Sequence, residues 1–547
     1  MKSLLPWTSA LVGAALATWP DPTPAFRPPE APASHPFARS LPELDEKIAE
    51  TDVEALLEEF CSPYLEGRDT PSLGLEYTAE RIAAYLKSFG CSSPESSDTV
   101  EGFFHGYTLE RPQPDARRCT FEVINLEVEP EALAAAGLDD GWTLDQDFTP
   151  MLRAEGRAEG LLQFCGYGID VKGYRGLKDV EVEGRIAVFV EGEPRHKRVL
   201  EGPELSPASN TYRKLQRFEH EGAEGAIVVR RPPDEDVTRP PDWPERTPVQ
   251  FRSTWASWVG ERPGERGPVN IPVVEIGWEQ AQVLLSLDLQ QVMGRIDKTG
   301  KPQPVDPSPV EVRFESRVRT AATDLRNVVA LLPGSDPNLA DEWVILGAHY
   351  DHIGVDPRGR IAVGADDNAS GVSAMLEAAH ALAADPPPRS VLFCAFSAEE
   401  DGLLGSRAVA SEPPVPADQI FAMVNLDMVG RGPDKEVVAL GVRENPDFAD
   451  VLKRAKRRSK SGLSKIETKK AQALFQRSDH YSFHARGYPA LFLFEQPDID
   501  DNPDYHTYRD VLEGLSLKKV TRVAKLAEAV VREIAELEDP LPRPSGR

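Results

Sequence analysis

Apolar residues recur at helical spacing from Leu41 to Phe60 and again from Leu75 to Phe89. In the second run Tyr77, Ile82, Tyr85, Leu86 and Phe89 share a face, and Gly90 ends the helix. Tyr64-Leu65-Glu66-Gly67-Arg68 between them reads as a loop. Near residue 155 the texture changes. Leu161–Phe164, Ile186–Val190, Gly225–Val229 and Ile271–Ile276 are short apolar runs bounded by turn residues, with one helical stretch from Tyr212 to Glu221. This pattern predicts a compact β-rich module over about 151–305, with Pro-rich segments near 231–245 and 302–309 as an internal loop and an exit linker. Beyond Thr323 strands and helices alternate. Strands are expected at Asn327–Leu332, Trp343–Gly347, Val391–Phe396, Ala422–Leu426 and Ala490–Phe494, and helices at Ser370–Ala383, Asp447–Lys460 and Ser516–Leu537. Continuous apolar strands separated by helices predict an α/β fold, a mostly parallel sheet with helices on both faces. In such sheets ligands bind at the carboxyl ends of the strands.

Composition adds limits to this picture. Of 547 residues, 40% are hydrophobic, enough for several packed cores. With 62 basic and 89 acidic side chains the formal net charge is -27, which disfavours nucleic acid and anionic membranes as partners. Met1-Lys2, the apolar stretch Leu4–Ala17 and the small-x-small triplet Ala15-Leu16-Ala17 read as an export signal over residues 1–19, followed by a Pro/Ala-rich linker to residue 40. The protein is thus expected outside the cytoplasm, secreted or periplasmic. No other stretch reaches the ~20 apolar residues of a membrane span. Five scattered cysteines without a C-x-x-C pair exclude a cysteine zinc site and argue against a disulfide framework.

Metal-type residues stand just after several of the strands. His349 ends one strand, and Asp351, two residues on, points the same way on extended backbone and suits the task of fixing that ring's tautomer. Asp366-Asp367 opens a helix, where paired acids also complement the helix dipole. Glu399-Glu400 follows the strand ending at Phe396, an arrangement in which one carboxylate can hold a metal while its neighbour takes a proton from water. Asp427 interrupts an apolar strand end, a costly burial without a cation. His506 lies in a polar loop before the final helix. Each segment alone has a structural explanation. Together, two histidines and several carboxylates at one sheet edge form a donor set suited to paired zinc ions.

This ordered set resembles the family of double-zinc aminopeptidases that also includes glutamate carboxypeptidase and glutaminyl cyclase. The likeness is close from about Asp324 to Asp510 and looser at Leu65-Glu66-Gly67-Arg68. It implies a zinc-exopeptidase-type mixed sheet, with residues 41–150 and 306–540 forming the catalytic domain. It implies two Zn2+ ions, His349 and Asp427 on one, Glu400 and His506 on the other, and Asp366 bridging them. Glu399 would be the general base, and Asp367 would shape the turn. Tyr505 matches a position that helps stabilise the transition state in some members, and His480, in Arg477-Ser478-Asp479-His480, lines or backs the pocket. The module at 151–305 resembles a protease-associated domain, on Gly166-Tyr167-Gly168-Ile169, Gly184–Val188, Gly222–Ile227 and Ile271–Val274. The implied activity is hydrolysis of peptide bonds at free N-termini. A carboxypeptidase or dipeptidase on the same site, a single-zinc cyclase and a non-catalytic binding protein are the alternatives.

Overall fold

The computed structural model describes residues 40–543 apart from residues 98, 125–141, 145–146, 152–153, 195, 197–205, 232–268, 304, 356–359 and 497–501. The expected signal and linker, and nearly all of the Pro-rich loop at 231–245, lie outside the described residues.

Two sheets divide the molecule. The first has eight strands in the order Phe104–Pro114, Val318–Leu332, Ser390–Phe396, Trp343–His349, Ile420–Leu426, Ala490–Phe494, Glu436–Leu440 and Lys465–Glu467. Its four middle strands, from Ser390–Phe396 to Ala490–Phe494, run parallel. They are buried on both faces, which is why they read as unbroken apolar runs. One face packs against the helices Glu50–Phe60, Leu73–Ser88, Gly371–Ala384, Phe448–Ser459 and Leu517–Ala535, through a core that includes Leu57, Ile82, Leu346, Met375, Phe393 and Val523. The other face meets the helices Leu404–Ser411 and His480–His484 around Ile345, Phe396, Val409 and Phe483. The parallel strands therefore all present their carboxyl ends to one edge.

The second sheet has seven strands in the order Thr120–Val123, Glu311–Ser316, Gly156–Phe164, Ile186–Val190, Gly225–Val229, Val273–Ile276 and Phe148–Pro150. It has cores of its own around Phe148, Val188, Ile227 and Phe314, and around Phe189 and Phe218. This module is wider than expected. Thr120–Val123 and Phe148–Pro150, placed by sequence in the catalytic part, pair with Glu311–Ser316 and Val273–Ile276 respectively. A ribbon joins the two units: Phe104–Pro114 pairs antiparallel with Val318–Val328 along its full length. The strand Val318–Leu332 begins in the ribbon and ends in the core of the first sheet.

Among the described residues no helix is long and apolar enough to cross a membrane. All five cysteines are free.

Candidate metal centre

Three of the parallel strands deliver acids or imidazole at their carboxyl ends: His349 as the last residue of its strand, Glu399-Glu400 just after Phe396, and Asp427 directly after Leu426. The loop carrying His506 closes over them, with that residue in the left-handed backbone region at φ 55. Asp367 reaches into the middle from the irregular turn Ala365–Ser370 that leads into the helix Gly371–Ala384.

His349 is buried. Its Nε2 lies 3.3 Å from Asp367 Oδ1 and 3.4 Å from Asp427 Oδ1. Its Nδ1 faces the Asp351 carbonyl at 3.2 Å, so the nitrogen left for the acids is Nε2. Asp351 does a second job: its two carboxylate oxygens accept the backbone N–H groups of Glu399 at 3.1 Å and Glu400 at 3.2 Å. One side chain thus ties the His349 strand end to the Glu399-Glu400 turn. On the other side His506 Nε2 lies 3.0 Å from Glu400 Oε2 and 3.1 Å from Asp367 Oδ2. Asp367 therefore offers one oxygen to His349 and the other to His506.

This placement corrects the reading of the acid pair. Asp366, expected between the two groups, turns its carboxylate the other way, accepting Gly430 N–H at 2.8 Å and the Ser370 hydroxyl at 3.2 Å. Burial first, and then the neighbouring Glu495, lift its pKa well above the ordinary aspartate value. The central position belongs to Asp367, and the cis peptide lies between Asp367 and Asn368.

The backbone around the site is held by buried polar side chains. Asp510 accepts the N–H groups of Asp366 and Asp367 at 3.0 Å each, and its own carbonyl accepts Ala365 N–H at 3.0 Å. Asn368 donates to the carbonyls of His349 at 3.3 Å and Leu426 at 2.9 Å, pinning two strand ends to the turn. Arg68, at 1% exposure, donates to four backbone carbonyls, Phe60, Tyr350, Val363 and Gly364. The N-terminal segment Leu65–Arg68 is therefore an anchor for the His349 strand end and the Asp367 turn.

The charges are mutually dependent. Burial alone would raise the Asp367 carboxyl, but the close His349, His506 and His352 rings outweigh it and hold Asp367 well below the usual carboxylate range. Burial opposes a charged His506, yet Glu400 and Asp367 lift it to about 10. His349 follows the same pattern under Asp427 and Glu399. Burial lifts Glu399 well above the glutamate range, and Glu400, Asp479 and Asp427 reinforce that shift against the pull of His349. Glu399 is thereby suited to holding a proton, whereas Glu400, overcoming its burial through His506, is held at about 2. His349 Nε2, His506 Nε2 and Asp427 Oδ1 are buried without a hydrogen-bond partner among the described residues. Nitrogen and carboxylate donors that converge unpartnered in this way fit a cation of the zinc class.

Beside the acids opens a small cavity of about 40 Å³. Met428, Leu474, Phe492 and Phe494 form its apolar wall, and Asp367, Glu399 and Asp427 its polar end. Tyr505 and Arg477 complete the lining, with Arg477 Nη2 3.5 Å from the Tyr505 hydroxyl. His480 stands apart from the acids. It is fully buried, stacks on Phe492 at 4.6 Å and meets Phe475 edge-on, and burial pushes its pKa down to about 3. It backs the pocket wall as a neutral ring.

Sequence reasoning passed over His352, which the structure puts inside the site, with Nδ1 3.0 Å from Glu400 Oε1 and 3.7 Å from Asp367 Oδ2. The available signal was its place in His349-Tyr350-Asp351-His352, at the mouth of the same strand.

Residues 327–531 match the model of Peptidase family M28. This part of the chain is similar to that family. Curated relatives include a probable leucine aminopeptidase of Arthroderma otae, 31% identical over 257 residues, which are 45% of this chain and 64% of the relative. Another, from Trichophyton verrucosum, is 33% identical over 217 residues, covering 38% of this chain and 57% of the relative. The chain therefore spans less than two thirds of the length of these relatives. Among solved structures, the zinc aminopeptidase BSAP from Bacillus subtilis is 19% identical, with 90% of this chain and 96% of that one covered at a TM-score of 0.47. The LapA aminopeptidase of Legionella pneumophila is 27% identical over 39% of this chain and 57% of that one, at a TM-score of 0.34. The M28 region contains every candidate ligand and both glutamates of the Glu399-Glu400 pair.

Proposed function

We propose that the chain is an exported metallo-aminopeptidase that removes residues from free peptide N-termini. The observation that carries this reading is the placement of Asp367 between two half-sites, His349 with Asp427 and His506 with Glu400. On this reading those five side chains hold two zinc ions, which when bound would supply a Lewis acid for the scissile carbonyl and acidify a water molecule. Glu399, at the polar end of the cavity and lifted in pKa, accepts the proton from that water and delivers it to the departing amine. Asp351 keeps Glu399 and Glu400 in place through their backbone amides. On the same reading Tyr505 and Arg477, which line the cavity, donate to the developing oxyanion, and the acids of the site attract a protonated α-amino group. The apolar wall of the cavity suits an aliphatic N-terminal side chain, in keeping with relatives named probable leucine aminopeptidase.

Arg477 supports one second reading. A guanidinium in the cavity lining can pair with a terminal carboxylate, as a carboxypeptidase on the same site would require. Peptides blocked at one end separate the two. The aminopeptidase reading expects cleavage of C-terminally amidated peptides, none of N-acetylated ones, and loss of all cleavage with a zinc chelator. Cleavage of the acetylated peptides alone would establish the carboxypeptidase, and chelator-resistant turnover would remove the metal from the account. Export rests on the N-terminal sequence pattern. It expects a mature protein outside the cytoplasm that begins just after Ala17, which N-terminal sequencing reads directly.

A further inference from the structure

We infer that His352 is a positioning residue: its Nδ1–H holds one oxygen of Glu400 so that the other is presented to the cation half-site shared with His506 and Asp367. The inference rests on the two-ion reading above and concerns a residue that this reading does not use.

His352 sits 1% exposed at the end of the His349-Tyr350-Asp351-His352 run. Its backbone N–H donates to the Arg68 carbonyl at 3.1 Å, so the chain enters the site at a fixed point. The ring lies against Gly364, itself in the left-handed region at φ +59, where an added Cβ would meet the His352 ring. The ring is thus sterically confined, with Nδ1 3.0 Å from Glu400 Oε1. His506 faces the other oxygen, Oε2, at 3.0 Å. The two imidazoles divide the carboxylate between them.

The surroundings of the second ring nitrogen distinguish a positioning residue from a further ligand. A histidine that holds a metal through one nitrogen donates its other N–H to a carboxylate or carbonyl. His349 fits that pattern, with Nδ1 beside the Asp351 carbonyl and Nε2 toward the acids. His352 does not. Its Nε2 is buried with no hydrogen-bond partner among the described residues. Binding a cation through Nδ1 would place the hydrogen on Nε2, leaving a buried donor unsatisfied at a cost of about 1–3 kcal/mol. With the hydrogen on Nδ1, the ionised Glu400 carboxylate, which can only accept, has its donor, and the group left at Nε2 is a lone pair. Support of this kind is worth about 10–100-fold in metal affinity where it has been removed from other sites.

The test titrates the metal-free full chain and its His352→Ala and His352→Asn variants with Zn2+ against a competing chelator, with thermal unfolding of each metal-free protein as a check on folding. Wild type is expected to take up two ions. His352→Ala should weaken one of them by about 10–100-fold and leave the other unchanged. His352→Asn, whose side-chain amide carries an N–H close to the place of Nδ1, should recover binding to within about threefold of wild type. Two ions in His352→Ala with both affinities unchanged overturns the inference while leaving the two-ion reading standing. An Asn variant as weak as Ala, with both folded, makes His352 a ligand and also overturns it. Failure of wild type to bind a second ion removes the two-ion reading and the inference together.

Discussion

Asp510 tests whether the Asp367 turn is held by hydrogen-bond geometry or by charge. Its carboxylate is 1% exposed, accepts the amides of Asp366 and Asp367, and lies 3.3 Å from Arg431 Nη2. Replacing it with alanine leaves two buried N–H donors unsatisfied, at about 1–3 kcal/mol each. Arg431 keeps its 2.8 Å bond to Asp504, so its loss is partial. Asp510→Ala should therefore lose about 4 kcal/mol relative to a variant that keeps both amides bonded. For a cooperative unit of 150–250 residues that is a fall in Tm of roughly 8–16 °C. Asparagine behaves differently. Its carbonyl oxygen can take the place of Oδ2 and keep both amides, while its NH2 faces Arg431 and forfeits about 1.5–3 kcal/mol there. Against this, burial, with Asp366 adding to it, lifts the Asp510 carboxyl from 3.8 to about 6. Both substitutions remove the cost of ionising a buried carboxyl at pH 7, so they differ by the two amide bonds that asparagine keeps. Thermal unfolding of the metal-free full chain at pH 7 should show Asp510→Ala well below Asp510→Asn. An alanine variant within about 1 kcal/mol of the asparagine variant would refute the reasoning.

Glu399→Gln should retain its metal, by elemental analysis, while turnover of a leucyl peptide falls by about 10²–10⁴-fold; near-normal turnover would take Glu399 out of the mechanism. Gly364→Ala should lower both stability and metal content, because the new Cβ meets the Asp367 carbonyl and the His352 ring at a φ of +59; an unchanged unfolding curve and metal content would show that the turn tolerates a side chain. Glu377 predicts a pH dependence away from the metal centre. Its Oε2 accepts Ala49 N–H at 2.9 Å, Oε1 is buried without a partner among the described residues, and burial lifts its pKa from 4.5 to about 8. The folded state therefore keeps a proton that the unfolded state releases, and this group's contribution to stability declines as pH rises from 4.5 to about 8, by at most about 5 kcal/mol. Glu377→Gln should flatten that decline in urea titrations, and identical pH profiles for the two proteins would contradict it.

Much of the eight-stranded sheet was legible because its middle strands are buried on both faces and so write themselves as continuous apolar runs, such as Val391–Phe396 and Ala490–Phe494. The ribbon was not. Phe104–Pro114 and the first half of Val318–Leu332 are only half-buried or exposed and carry Arg, Thr, Glu and Gln with no continuous apolar run. The edges of the second module were hidden for another reason. Phe148–Pro150 is three residues long and becomes a strand only by pairing with Val273–Ile276, over a hundred residues away, which leaves no local signal. At the site, residues standing at strand ends could be placed from the pattern, since strand direction fixes where they point. The choice between Asp366 and Asp367 could not be made that way. Neighbouring residues in a turn point in opposite directions, and here Asp367 at φ -105, ψ 93 departs from helical geometry. Only the backbone of the turn determines which acid faces inward.

The central claim is that Asp367 joins two cation half-sites while Asp366 supports the turn from behind. The direct measurement is the number of zinc ions bound by Asp366→Asn and Asp367→Asn, each metal-freed, reloaded and analysed beside wild type. Wild type and Asp366→Asn are predicted to hold two ions, and Asp367→Asn to lose at least one. Two ions retained by Asp367→Asn, with one or both lost from Asp366→Asn, would contradict the account.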